Sequence, residues 1–331
     1  MNRNSLYPVK FAPIYQYRIW GGRRLSNLLS KPLPPNDPIG EAWILSDRKE
    51  HASVVLDGFL QGKTIADLMR EYPDELMGKA AGKFERFPLL LKYLDAQTVL
   101  SVQVHPNDDQ QEYIPEGETG KTEAWVVLET EEDSKIYAGL KSGTTKEVLQ
   151  KAVQEKTTSD FLPSFKPKAG DAIYIPAGTV HTMDSVVVFE VQENSDITYR
   201  LYDWDRIDEK TGKPRDLQIE KALECIKFPQ NEIKPAVPQT ETIQGTVHEK
   251  LFDNEHFILW RIQEKSPFGV GEESLPRILV CVEGYGTLKF GSSKYALNKG
   301  EVMLLPAIAG IGIFEPHTEV TLFEIALPLK H

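Results

Sequence analysis

The chain has 331 residues, 40% apolar and 26% charged, enough for about two packed domains with a soluble surface. Its 38 Lys+Arg against 49 Asp+Glu leave a net charge of -11, so a nucleic-acid-binding face, which needs clustered cations, is not expected. Met1 to Pro13 has no apolar core, so no secretory signal is expected. Val302 to Phe314 is broken at Pro306, Gly310 and Gly312 and only Cys225 and Cys281 are present, so membrane-spanning and disulfide-scaffold classes are excluded and a reducing cytoplasm is expected.

In chain order, Thr64 with Asp67 has the spacing of a capping box ahead of Ile65, Leu68 and Met69, which predicts a short helix. From Val99 to His105 strict alternation puts Ser101, Gln103 and His105 on one strand face and Leu100, Val102 and Val104 on the other. The apolar face packs. The polar face lies inside a barrel and must be paired or must bind something. The same period gives Lys121, Glu123 and Trp125 a common face on the next strand. Thr144 with Glu147 repeats the capping pattern ahead of Val148, Leu149, Ala152 and Val153. Short β-rich runs follow at Ala172 to Ile175 and Val186 to Phe189, and His181 comes directly after the Pro176-Ala177-Gly178 turn, where a strand restarts. Asp216 precedes the helical stripe Ile219, Ala222, Leu223 and Ile226. Pro229 to Gln244, polar and holding Pro229, Pro235 and Pro238, reads as a linker. Beyond it, further strand runs lie at Ile278 to Cys281, Val302 to Leu305 and Val320 to Phe323.

Two of the seven histidines, His105 and His181, therefore sit in polar company on strand faces. With Gln103 and Glu123 they make a mixed nitrogen and oxygen set suited to a borderline divalent cation such as zinc. Three firm ligands and a labile position fit a catalytic centre better than a closed structural one.

An internal repeat sets the architecture. Lys168 to Ala177 aligns with Asn298 to Ala307, pairing Gly170 with Gly300 and Pro176 with Pro306 at an offset of 130. Upstream, Val126 to Glu129 resembles Val280 to Glu283 at an offset of 154, so the first copy holds about 24 extra residues between the two blocks, where the Thr144 helix falls. The pattern from Gly170 to His181 resembles the second motif of the cupin superfamily. The expected fold is mainly β: a bicupin of two tandem jelly-roll barrels with a few short helices inserted in or packed on the first. The expected domains are residues 1–235, with helical insertions at about 142–165 and 216–227, and a metal-free second cupin at 236–331. In that second copy Arg277 stands where Glu123 would be and Ile311 where His181 would be.

Ile19-Trp20-Gly21-Gly22, Gly40-Glu41-Ala42-Trp43, Ser101 to Asp108, Lys121-Thr122-Glu123-Ala124-Trp125, Pro176 to His181 and Asp196-Ile197-Thr198-Tyr199-Arg200 together resemble the short bacterial form of the type I mannose-6-phosphate isomerases, over nearly the whole chain. The resemblance implies an aldose–ketose isomerase acting on a sugar phosphate, with one zinc ion per chain on Gln103, His105, Glu123 and His181. It also implies an active-site arginine at Arg200 and a pocket lined by Trp20, Glu41, Lys92, Ser101, Lys121, Glu190 and Asp196. The stretch between Glu123 and His181 is short where longer members carry a helical domain.

The implied reaction needs a base of near-neutral pKa, a stabiliser for an oxyanion and an anchor for phosphate. Arg200, Lys121 and Glu190 are the candidates for catalysis, while Glu190, Lys92 and Lys121 remain open as the base. Arg200 could instead pair with Asp203 or Asp205. A monomer or homodimer without nucleic-acid or membrane partners is expected. Two competing classes are an Fe(II) oxygenase on the same fold and a non-catalytic sugar-phosphate binder; Lys92, Lys121 and Arg200 argue against the first.

Overall fold

The computed structural model describes residues 5–328. His331 and the first four residues of the Met1 to Pro13 segment lie outside the described residues. The chain is mainly β. In the first half, a nine-stranded sheet runs Ala172–Ile175, Glu123–Ala138, His181–Glu193, Leu89–Ala96, Ile14–Gly22, Ile39–Leu45, with Val102–Val104, Tyr199–Tyr202 and Ser164–Phe165 joined beside it. The second half builds a seven-stranded sheet and a four-stranded one.

Alternation along three adjacent strands explains how the first half can hold both a core and a polar interior. In Leu89–Ala96, Leu89, Leu91 and Tyr93 enter one apolar cluster while Lys92 and Leu94 face the opposite way. In His181–Glu193, Val187, Phe189 and Val191 enter that same cluster, and Val186, Val188 and Glu190 lie on the other face. In Glu123–Ala138 the division is Ala124 and Val126 against Glu123, Trp125 and Val127. The shared cluster is completed from the second half by Leu259, Ile278, Val280, Phe323 and Ile325, with the Phe189 and Phe323 rings 5.0 Å apart. Each such buried aromatic or branched side chain contributes about 1.5–3 kcal/mol, so the outer face of the first sheet depends on the second half for cover. The chain's start crosses over as well: Val9 pairs with Leu304 at the edge of the seven-stranded sheet.

The sequence repeat is visible in the hydrogen bonds. The Val127 amide donates to the Asp171 carbonyl and the Gly170 amide to the Val127 carbonyl; the Cys281 amide donates to the Glu301 carbonyl and the Gly300 amide to the Cys281 carbonyl. Gly170 and Gly300 both turn with positive φ, 91° and 80°, which favours glycine at each. The strand registers agree too: Ile175 faces Glu123, and Leu305 faces Arg277. Arg277 therefore holds the register position of Glu123. Its guanidinium lies 3.5 Å from buried Glu324 and 3.3 Å from Glu272, and the Gly271 amide donates to Glu324. These charges satisfy one another, and among the described residues no metal-ligating group of three forms there. Ile311, at the position of His181, is exposed.

The helices differ from expectation in detail. Ile65–Glu71 starts at Thr64 with the reciprocal capping box to Asp67. Lys146–Gln154 is capped by Thr145, not Thr144, because the Thr144 hydroxyl donates to the Lys141 carbonyl of the preceding turn. Two short helices, Leu25–Leu29 and Pro73–Met77, carry no periodic signal long enough to read. The linker is also shorter than the sequence suggests. Gln239–Ile243 is a strand paired with Thr246–Asp253. Gln244 and Gly245, both at positive φ, form the tight hairpin turn between them.

Candidate active site and metal centre

The polar interior face opens into a cavity of about 380 Å³, a size that suits a small metabolite. Trp20, Glu41, Lys92, Ser101, Gln103, Lys121, Glu190, Asp196 and Arg200 all line it. Six of them come from six strands, Ser101 and Lys121 lie just before the strands Val102–Val104 and Glu123–Ala138, and Asp196 lies between Glu193 and Tyr199.

His105, Glu123 and His181 are fully buried behind the lining residues Gln103 and Lys121, their ligand atoms all within 4.8 Å of one another. His105 Nδ1 faces the Ile197 carbonyl at 2.7 Å and His181 Nδ1 the Thr179 carbonyl at 2.9 Å. A carbonyl can only accept, so both rings carry their proton on Nδ1 and present the Nε2 lone pair inward. Those two nitrogens lie 3.4 and 3.3 Å from the carboxylate oxygens of Glu123. Burial, followed by Lys121, lowers His105 to about 3. Burial likewise lowers His181. Burial opposes the charge of Glu123, but Lys121, His105 and His181 hold its carboxyl well below the usual range. Neutral imidazole lone pairs therefore point at an ionised carboxylate, and His105 Nε2 and both Glu123 oxygens have no hydrogen-bond partner. The His105 and Glu123 lone pairs that face each other at 3.4 Å are costly when buried, even with the Lys121 ammonium 3.1 Å from Glu123, and a divalent cation between them removes that cost. The donor set fits a zinc-class ion. The Gln103 amide sits 3.1 Å from His181 Nε2, at the edge of the same group.

Beside this centre lies a chain of charges. The Lys92 ammonium is buried within 3.8 Å of Glu41, 3.4 Å of Glu190 and 3.5 Å of Asp196. Burial opposes its charge, yet these three carboxylates hold its pKa above the ordinary lysine value. Burial also opposes the charge of Glu41, but Arg18, Lys92 and the Trp43 indole hold it at about 2. Glu190 behaves differently. Burial and the nearby charge of Glu123 push it up to about 7. Trp125 Nε1 donates to its Oε2 at 2.9 Å, while Oε1 is buried without a hydrogen-bond partner.

Arg200 lies on the cavity wall with its Nε unpartnered. The ion pair entertained from sequence does not form. Asp203 is taken by Arg206 and Arg215, and Asp205 by Lys156. Three cavity residues of weight were not singled out from sequence: Arg18, Arg215 and Tyr17. Arg18 shares a strand face with Trp20 at a spacing of two, a signal that was legible. Arg215 sits in the loop after Asp203, where no period points to it. Arg18, Arg200 and Arg215 all line the cavity, Arg18 paired with Glu41 and Arg215 with Asp203, so three guanidiniums meet there despite the chain's net charge of -11.

Residues 9–122 match the family model for the phosphomannose isomerase type I catalytic domain. Over 93% of this chain and 95% of that protein, the sequence is 37% identical to mannose-6-phosphate isomerase ManA of Bacillus subtilis. It is 35% identical to mannose-6-phosphate isomerase of Streptococcus mutans over 87% of this chain and 89% of that protein. The crystal structure of mannose 6-phosphate isomerase from Bacillus subtilis superposes with a TM-score of 0.88 at 30% identity, covering 97% of this chain and 99% of that one.

Proposed function

The chain belongs to the type I mannose-6-phosphate isomerases, and on that premise we propose that it interconverts D-mannose 6-phosphate and D-fructose 6-phosphate with one zinc ion on His105, Glu123 and His181 and with Gln103 as the fourth donor. The observation that supports this reading most is a buried His–Glu–His group directly behind two residues of the cavity lining, Gln103 at 3.1 Å from His181 and Lys121 at 3.1 Å from Glu123, with Arg18, Arg200 and Arg215 in the same lining. A substrate with vicinal oxygens at one end and a phosphate dianion at the other fits that arrangement.

Aldose–ketose isomerisation moves a proton between C2 and C1 through an enediol(ate). Bound zinc supplies Lewis-acid polarisation of the sugar oxygens. Glu190 is the base. Its Oε1, 3.4 Å from the Lys92 ammonium, takes the C2 proton and returns it to C1 as the hydroxyl proton passes from O2 to O1, while the Trp125 indole fixes the other oxygen. A pKa near neutral suits both directions of the transfer. Lys92 remains charged, so it holds Glu190, Glu41 and Asp196 in place rather than accepting a proton. Lys121, 3.1 Å from Glu123, balances that carboxylate. Arg200 donates to the enediolate oxygen, and Arg18 and Arg215 face the phosphate. Trp20, Glu41, Ser101 and Asp196 position the sugar's ring and hydroxyls.

Two tandem cupin barrels divided near residue 235, the second metal-free, complete the reading. No helix among the described residues is long and apolar enough to cross a membrane; the enzyme works in the cytoplasm as a monomer or homodimer.

The testing experiment follows zinc-loaded protein with D-mannose 6-phosphate and D-glucose 6-phosphate as separate substrates. The expected result is ready formation of fructose 6-phosphate from the mannose compound and little from the glucose one. The reverse preference would overturn the substrate assignment, and no turnover of either would overturn the function.

A further inference from the structure

A second cleft, about 600 Å³ in volume, opens where the two halves of the chain meet, with Phe84, Phe87 and Asn194 on one side and Glu255 and His256 on the other. In it the carboxylates of Asp108 and Glu193 and the imidazole of His256 each bring a ligand atom within 4.8 Å of the others. Each carboxylate is anchored through one oxygen by backbone: the Gly120 amide donates to Asp108 Oδ1 at 2.7 Å, and the Thr122 amide to Glu193 Oε2 at 2.6 Å. Glu193 Oε1 then lies 3.4 Å from His256 Nδ1. Asn194, 8% exposed, lines the same cleft; its Nδ2 donates to the Asp47 carbonyl, and its buried Oδ1 has no hydrogen-bond partner.

Two carboxylates brought this close, one of them buried, need a shared proton or a cation between them. No lysine or arginine pairs with Glu193 among the described residues, and burial together with Asp108 pushes its carboxyl up to about 8. Two carboxylates and an imidazole form a set that zinc or manganese accepts.

We propose that Asp108, Glu193 and His256 bind a second divalent cation of the zinc and manganese class, separate from the His105–Glu123–His181 centre. The ion ties the hairpin turn that bears His256 to the first half of the chain. It also steadies the Thr122 amide, which lies between Lys121 and Glu123.

The test equilibrates the full chain with Zn²⁺ as the only metal, removes free ion and counts zinc per chain by mass spectrometry. Wild type is expected to hold two equivalents. Asp108→Asn and His256→Ala should each hold one and retain turnover, while His181→Ala should also hold one but lose turnover. One equivalent in wild type, or two in both Asp108→Asn and His256→Ala, would overturn the second site and leave only the shared proton. A His181→Ala protein that still held two would count against the catalytic metal centre, so the two readings fail separately.

Discussion

Replacing His181 by alanine is expected to strip the catalytic metal and reduce isomerisation to background. The ring is completely buried, its Nδ1 proton is held by the Thr179 carbonyl, and its Nε2 is one of three ligand atoms within 4.8 Å of one another. A tetrahedral catalytic ion held by three protein ligands keeps little affinity when one is lost. The change also opens a hole beside Trp125, whose ring is 5.4 Å away, so His181→Asn serves as the control that keeps a polar side chain in the space. Both variants should bind about one zinc fewer than wild type and show no measurable turnover, with the asparagine form melting closer to wild type. Either variant retaining catalytic zinc and turnover would contradict the assignment of His181.

Arg200→Ala should lower kcat by about 10²–10³, roughly 3–4 kcal/mol, the usual cost of one preorganised donor to a developing oxyanion. Its Nε is unpartnered, and the neighbouring Arg18 and Arg215 are like charges, so no native ion pair is broken by its removal. Zinc content and melting temperature should therefore stay near wild type. The kinetic pattern separates two roles. A donor used only in the transition state lowers kcat and kcat/KM together, whereas a phosphate contact made equally in ground and transition states raises KM with kcat kept. We expect the first pattern for Arg200 and the second for Arg215→Ala.

Much of this was legible in the residues because β-strands encode side by period. The alternation that sets Gln103 apart from Val102 and Val104, and that of Lys121, Glu123 and Trp125, is readable without knowledge of the fold. Leu100, expected on the face of Val102 and Val104, instead lines the cavity with Ser101 and Gln103, because the strand begins only at Val102. The repeat from Gly170 to Ala177 and from Gly300 to Ala307 needed two glycine turns and two prolines, which local backbone geometry constrains strongly. What stayed hidden was long-range. Nothing local says that Val9 pairs with Leu304, that Phe189 packs on Phe323, or that Arg215 returns from a loop to the cavity. The choice between Lys92 and Glu190 as the proposed base was equally unreadable from sequence, since the difference between them lies in their neighbours. Three carboxylates keep the lysine charged, while burial beside Glu123 raises the glutamate.

The measurement that bears most directly on the whole account is mannose 6-phosphate turnover by one preparation in three states: as loaded with zinc, after chelation to a metal content near zero, and after zinc is returned. The buried His105–Glu123–His181 group predicts activity, its loss, and its recovery in step with zinc bound at that centre. Undiminished conversion by the demonstrably metal-free protein would contradict it.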